Sequence, residues 1–379
     1  MYKKFDGHLH TFRFKVPLRE SIGLFKRQFD RFNVKKYSFL ALPCEPIPGR
    51  FGYETTDHID NLRVMYYKCA FAPNGYAYAG LEYDKLDLTD KNVVAEELLR
   101  QVKEYRKAGY DGIKMYEGHP NTQKVLGFGI DDPVFDPFYE YCEKENFPII
   151  IHVANSKYMW DKSQISEYWI ERGCCFDQTF PTFENIHQQV LNLLEKHPKL
   201  NYTVAHFGFM TYDKQVAEKF MSYENTKMDV TPGNNNYANM GEDRDYWRDF
   251  IIRFADKIVY GTDCYNFSFD NAVNFDRATG NRPTLVKQFF ETDKVIEFCA
   301  NSVPYQVKGF KIPKKYRKKI YYDNLVNMLG EPNKVDFDYL IEKSRELLKG
   351  YSAKDFEYYN LWCMTHDFET FKKGGKIYE

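Results

Sequence analysis

The chain has 379 residues, 43% hydrophobic and 28% charged, with a formal net charge of -1. That is enough apolar material for a large core, and nothing overall points to nucleic acid or an anionic membrane surface. No run approaches a membrane span and no apolar leader opens the chain. Its eight cysteines are scattered without Cys-x-x-Cys spacing, so a soluble cytoplasmic protein with reduced thiols is expected.

In chain order, the first apolar run ends Phe5-Asp6-Gly7-His8-Leu9-His10. Residues two apart on a strand share a face, so His8 and His10 can aim both imidazoles at one point, as nitrogen ligands of a transition metal must. Asp6 falls on the same face; it either orients an imidazole or is a solvated strand-edge carboxylate. A helix over 21–32 leads to a second strand at 37–42, and a helix over 57–64 precedes a third strand at 67–71. Residues 93–107 form a strongly periodic helix that stops at Gly109. The fourth strand, 111–115, carries Lys114, and the helix 135–145 feeds an isoleucine-rich strand ending at His152.

A longer connection, 155–183, carries Tyr158, Trp160, Tyr168, Trp169 and Arg172. Loops at the C-terminal face of a barrel shape specificity, so this segment reads as an aromatic lid with a cation for an acidic group; ordinary helix packing is the alternative. The helix 186–196 then feeds a strand ending at His206, 214–223 leads to a strand at 227–231, and 244–254 leads to a strand ending at Asp263. Asn234, Asn235 and Asn236 read as a loop. His58, His119, His187, His197 and His366 read as surface or capping residues, with His119 alone close to a strand end.

Strand–helix alternation of this kind implies parallel pairing through right-handed crossovers. Eight units with polar residues at strand C-termini favour a closed (β/α)8 TIM barrel whose active site sits at that end. A doubly wound open sheet competes, but no glycine-rich phosphate turn follows the first strand. Residues 267–313 read as a helical insertion after the eighth strand and 319–330 as the last barrel helix, completing one domain over 1–334. Residues 335–379 form a C-terminal extension, helical in its first half, packed on the barrel or on a partner subunit.

The ordered pieces Asp6-Gly7-His8-Leu9-His10, Gly112-Ile113-Lys114-Met115, Gly127–Asp132-Pro133, Pro148–His152, His197-Pro198, Ala205-His206-Phe207-Gly208 and Tyr260–Asp263 resemble the amidohydrolase superfamily. The closer likeness is to its amidohydrolase-related branch of metal-dependent TIM-barrel hydrolases and nonoxidative decarboxylases. The resemblance implies one divalent ion, zinc first and manganese or iron next, held by His8, His10, His152 and Asp263. Asp263 would also handle protons. His206 would bind metal, act as a base or polarise the substrate, with a role on the substrate favoured. Lys114 would be a free ammonium binding a substrate carboxylate or carbonyl, the alternative being a carbamylated bridge between two metals.

The leading expectation is a hydrolase that attacks a small amide, lactone, ester or amidine with metal-activated water, whose pKa falls toward about 7. The alternative is a nonoxidative decarboxylase of an aromatic or enoic acid. A barrel that uses its metal only to stabilise a binding scaffold is a third reading, opposed by five polar residues converging on one mouth. A small-molecule substrate, no nucleic acid or membrane partner, and a homodimer or larger homo-oligomer complete the expectations.

Overall fold

Eight short strands alternate with helices along the chain: β1 (Lys4–His10), β2 (Val34–Leu40), β3 (Gly75–Gly80), β4 (Gly112–Gly118), β5 (Ile149–Val153), β6 (Tyr202–Val204), β7 (Thr226–Asp229) and β8 (Ile258–Val259). The computed structural model describes residues 2–11, 17–46, 58–171, 173–233, 235–264, 272–300 and 303–377. Neighbouring strands pair in sequence order, every pair parallel. Parallel neighbours need a long crossover, and the intervening helices supply it. The ring closes where the Gly7 amide donates to the Tyr260 carbonyl at 3.0 Å, Asp263 to His8 at 2.8 Å and His10 to Cys264 at 2.9 Å. The architecture is therefore a (β/α)8 barrel. Every residue of β1 and β5 is buried, as strands covered on both faces must be.

One strand differs from expectation. Residues 67–71 belong to the last turns of the helix Ile59–Ala70 and the residue that caps it, and the third strand is Gly75–Gly80. The helix is buried on nearly every side, so its sequence shows no polar face to betray a 3.6-residue period. Its Tyr67 and the following Phe71 pack on Phe25, Phe29, Tyr37 and Phe39. The true strand, Gly-Tyr-Ala-Tyr-Ala-Gly, is poor in β-branched residues, which hides it.

The segment after β8 is not wholly helical. It holds a helix, Ala272–Glu291, followed by an antiparallel hairpin, β9 (Val295–Ala300) with β10 (Val303–Lys308). The C-terminal extension is helical in both halves, over Phe337–Leu348 and Phe356–Lys372. It packs on the barrel of its own chain. Tyr66 donates to Asp367 at 2.8 Å, Arg19 Nε reaches the same carboxylate at 3.0 Å, and Arg63 pairs with Glu357 at 2.9 Å.

Candidate functional site

The structure brings His8, His10 and Asp263 to one point at the C-terminal end of the barrel. His8 Nε2 and His10 Nε2 stand 3.1 Å apart, and each lies 3.6 Å from Asp263 Oδ1. Strand geometry sets the first pair, since β1 turns both rings to one side. Asp263 lies four residues past β8 in left-handed backbone at φ 51°. Its approach needs Gly261, where a Cβ would sit 2.9 Å from His8 Cβ and 2.8 Å from Thr231 Cγ2.

The far nitrogens of both rings are committed. His8 Nδ1 meets Asp229 Oδ2 at 2.7 Å and His10 Nδ1 meets the Leu40 carbonyl at 2.9 Å. A carboxylate and a carbonyl only accept, so each Nδ1 carries the proton and each Nε2 presents a lone pair. Burial, then the neighbouring His8, holds His10 well below the usual histidine range, so its ring stays neutral. Two lone pairs and a carboxylate oxygen thus face one another across 3.1–3.6 Å. Ligands about 2.1 Å from one ion stand roughly 3.0–3.5 Å apart, so this donor set fits a divalent cation and is electrostatically unfavourable without a positive charge.

Asp229, at the end of β7, is the residue that sequence reasoning missed. Besides His8 it accepts from the His206 amide at 2.7 Å, from the Thr231 amide at 3.1 Å and from the Thr231 hydroxyl. Burial would raise its pKa, but His8 and these hydrogen bonds hold it below the ordinary carboxylate value. The available signal was its place, a carboxylate at the C-terminal end of a strand. Asp6, by contrast, does not orient an imidazole. It accepts from the Thr262 hydroxyl at 2.7 Å, the Thr262 amide at 3.1 Å and the His8 amide at 3.2 Å, tying β1 to the chain after β8.

His206 does not end a strand; it opens a tight left-handed turn after β6, at φ 55°. Such backbone costs a non-glycine residue on the order of 1–3 kcal/mol and is held by its surroundings. Here Asn236 donates to the His206 carbonyl at 2.7 Å, and His187 Nε2 reaches the Gly208 carbonyl at 2.8 Å. His187 is therefore a buried brace rather than a surface residue, and Asn236 begins a helix, Asn236–Glu242, rather than continuing a loop. Thr231 spends its hydroxyl proton on Asp229, so its oxygen accepts from His206 Nδ1 at 2.9 Å. His206 Nε2 is left as an acceptor, and burial draws the ring's pKa down to about 4.

The His152 ring packs 5.2 Å from His206 and 5.4 Å from His119, centroid to centroid. Its Nε2 is buried with no hydrogen-bond partner among the described residues. It is not among the ligand atoms gathered within 4.8 Å around His8, His10 and Asp263. His119 stacks on Tyr116 and caps the helix Pro120–Leu126 through Nδ1.

Two cations border the group. Lys114, on β4, is 1% exposed and makes no hydrogen bond or ion pair among the described residues. Burial lowers its pKa to about 8 against the pull of Asp229, Asp263 and Glu117. Glu117 on the same strand takes the Tyr83 hydroxyl at 2.7 Å, and burial raises its pKa to about 7. Arg282, from the helix after β8, bonds to Asp263 Oδ2 and to its carbonyl. Burial alone would raise the Asp263 carboxyl, but Arg282, then His8, His206 and His10, hold it well below the ordinary range.

Trp160 and Trp169 sit in a packing cluster with Met159, Ile165, Cys174 and Phe176. The Trp160 indole donates to the Pro181 carbonyl at 3.0 Å and lines a cavity of about 870 Å³ with Tyr158, Tyr212, Asn235 and Tyr305, apart from the histidine group. Phe176 links them to the site, meeting Trp160 at 4.7 Å and His119 at 5.7 Å. The two rings thus stand in a packing cluster that Phe176 joins to the site. Arg172 lies outside the described residues. Among those described, no helix is long and apolar enough to cross a membrane.

Comparison with known proteins adds three findings. The chain is similar in structure to 2,6-dihydroxybenzoate decarboxylase from Rhizobium, at 19% identity and a TM-score of 0.48, covering 87% of this chain and 99% of that one. It is similar to a dihydroxybenzoic acid decarboxylase from a Polaromonas species, solved with manganese and 2-nitroresorcinol, at 15% identity and 0.46, covering 87% and 97%. It is also similar to 4-oxalomesaconate hydratase from Rhodopseudomonas palustris, at 14% identity and 0.46, covering 87% and 86%. No curated protein matches the chain. The amidohydrolase family model matches residues 85–324, well over half of the sequence. This chain is a member of the amidohydrolase family, in the branch described as amidohydrolase 2.

Proposed function

We propose that the protein is a metal-dependent enzyme that removes CO2 from a small aromatic or enoic acid without oxidation. One divalent ion would be held by His8, His10 and Asp263, with His152 able to join from β5. Histidine and carboxylate donors suit zinc, manganese or iron. When bound, the ion polarises the oxygens of the substrate. The observation that carries the acidic substrate is Lys114, a buried ammonium with no hydrogen bond or ion pair among the described residues. A charge so placed is costly until an anion meets it.

Decarboxylation is preferred to hydrolysis on the state of Asp263. A hydrolytic base must accept a proton from water, yet Arg282 occupies one carboxylate oxygen and holds the group's pKa well below the ordinary range, which makes it a weak base. In the lyase reaction the bond between the substrate carbon and its carboxylate breaks, CO2 leaves, and the electron pair stays on carbon. Lys114 pairs with the carboxylate and then gives that carbon a proton, which it regains from water. Its pKa of about 8 keeps it protonated at neutral pH and able to release the proton. His206 Nε2, a neutral acceptor, would orient a substrate hydroxyl.

The test uses the metal-loaded protein with a panel of hydroxylated benzoates and enoic acids in D2O enriched in oxygen-18. Decarboxylation gives a product one carbon shorter, with one deuterium on carbon and no heavy oxygen. An acid that keeps every carbon and gains one oxygen from water has been hydrated instead, and that product would overturn the proposal.

A further inference from the structure

We infer that a second cation site, apart from the histidine group at the barrel mouth, is built by Cys44, His58 and Asp84 with Glu82 behind them, and that it takes a zinc ion. One ligand atom from each of Cys44, His58 and Asp84 lies within 4.8 Å of the other two. His58 Nε2 is 2.9 Å from Asp84 Oδ2, and its Nδ1 is 3.2 Å from Glu82 Oε2. Zinc is the divalent ion whose common sites combine thiolate, imidazole and carboxylate, whereas manganese and magnesium prefer oxygen.

The three segments that bring these residues together are pinned to one another by other bonds. Cys44 follows β2, and its amide donates to the Leu81 carbonyl at 2.8 Å while its carbonyl accepts from Tyr83 at 2.9 Å. This sets Cys44 opposite Glu82 in a parallel bridge. His58 precedes the helix Ile59–Ala70, whose Asp60 accepts from the Leu42 amide at 2.9 Å. Asn61 in that helix accepts from the Gly80 amide at 2.8 Å and donates to the Gly80 carbonyl at 3.0 Å. Backbone order is therefore already in place, which is the preorganisation that metal affinity needs.

The charge distribution points the same way. Two carboxylates flank one imidazole, Glu82 at 3.2 Å and Asp84 at 2.9 Å. The pocket thus already favours positive charge. On binding, the Cys44 thiol loses its proton to solvent and the sulfur binds as thiolate. His58 binds through Nε2 while Nδ1–H donates to Glu82, an outer carboxylate that fixes the ring. The side chains of His58 and Asp84 are 24% and 23% exposed, which leaves a path for the ion and a position for water.

The test exploits sulfur. Metal-free full-length protein is titrated with cobalt(II), whose thiolate complexes give a near-ultraviolet charge-transfer band that histidine and carboxylate sites lack. The band is expected in the wild type, with an amplitude that corresponds to one thiolate-bound cobalt per chain. It should vanish in Cys44→Ser and persist in the double variant His8→Asn/His10→Asn. In Asp84→Asn, which keeps the thiol, its midpoint should move to at least about tenfold higher cobalt. A wild type that binds cobalt without this band overturns the inference, whatever the folding of the variants. A band that survives Cys44→Ser overturns it equally.

Discussion

On the β1 side of the barrel mouth both imidazoles are fixed from behind, His8 by Asp229 at 2.7 Å and His10 by the Leu40 carbonyl at 2.9 Å. On the β5 side, His152 Nε2 is buried with no hydrogen-bond partner among the described residues, and His206 Nε2 is left as an acceptor. A buried, unsatisfied nitrogen costs on the order of 1–3 kcal/mol, so its persistence marks a place completed from outside the chain. On the proposed reading the first side would hold the ion, and the second would meet what arrives with the ion or the substrate.

The sharpest way to break this comparison is to remove a ligand on the fixed side. His10→Asn should lower the metal content by one ion per chain relative to the wild type in elemental analysis. It should also lower turnover by about a thousandfold or more, since the ion supplies several kcal/mol of charge stabilisation. The same substitution at His152 should leave metal content largely intact while still damaging turnover. Equal metal loss in both variants would erase the distinction.

Lys114→Met comes next, expected to lower kcat/KM for an acidic substrate by about a hundredfold, the scale of losing a buried charge partner. Metal content should stay at the wild-type level. Asp229→Asn should follow, with a loss of about 10- to 100-fold in metal affinity or activity, typical of the group that orients a ligating histidine. If Asp229→Asn titrates metal as the wild type does, the claim that β1 is preorganised from behind is wrong.

The smallest effect concerns stability. Burial, partly offset by the Tyr83 hydroxyl and backbone donors, raises Glu117 from 4.5 to about 7. Across that window the folded chain holds a proton that the unfolded chain has lost. Stability is therefore fully present below about pH 4.5 and declines as pH rises through about 7, by on the order of 3 kcal/mol. Glu117→Gln should flatten that slope in urea melts recorded between pH 5 and pH 8, and an unchanged slope would remove Glu117 as its source.

The barrel was legible because strand-like runs alternate with amphipathic helical stretches along the chain, and because His8 and His10 sit at a spacing that only a strand turns to one face. Asp263 was legible for a related reason, a carboxylate just past a strand and a glycine. Asp229 was not singled out, since Met-Asp-Val-Thr reads as an unremarked strand and the partner it holds is 221 residues away in sequence. Arg282 was hidden for a different reason. It reaches Asp263 from the helix that follows β8, and no local pattern fixes where that helix lies. The third strand was misplaced because a helix buried on all sides loses its polar face, leaving the period unreadable.

The central claim is that one divalent ion sits between β1 and the turn after β8. Diffraction from metal-loaded crystals, with anomalous data collected on both sides of the metal absorption edge, tests it directly. The account requires a peak within bonding distance of His8 Nε2, His10 Nε2 and an Asp263 oxygen. A metal-loaded crystal whose peaks all lie elsewhere, with these three atoms bound to none of them, would contradict it.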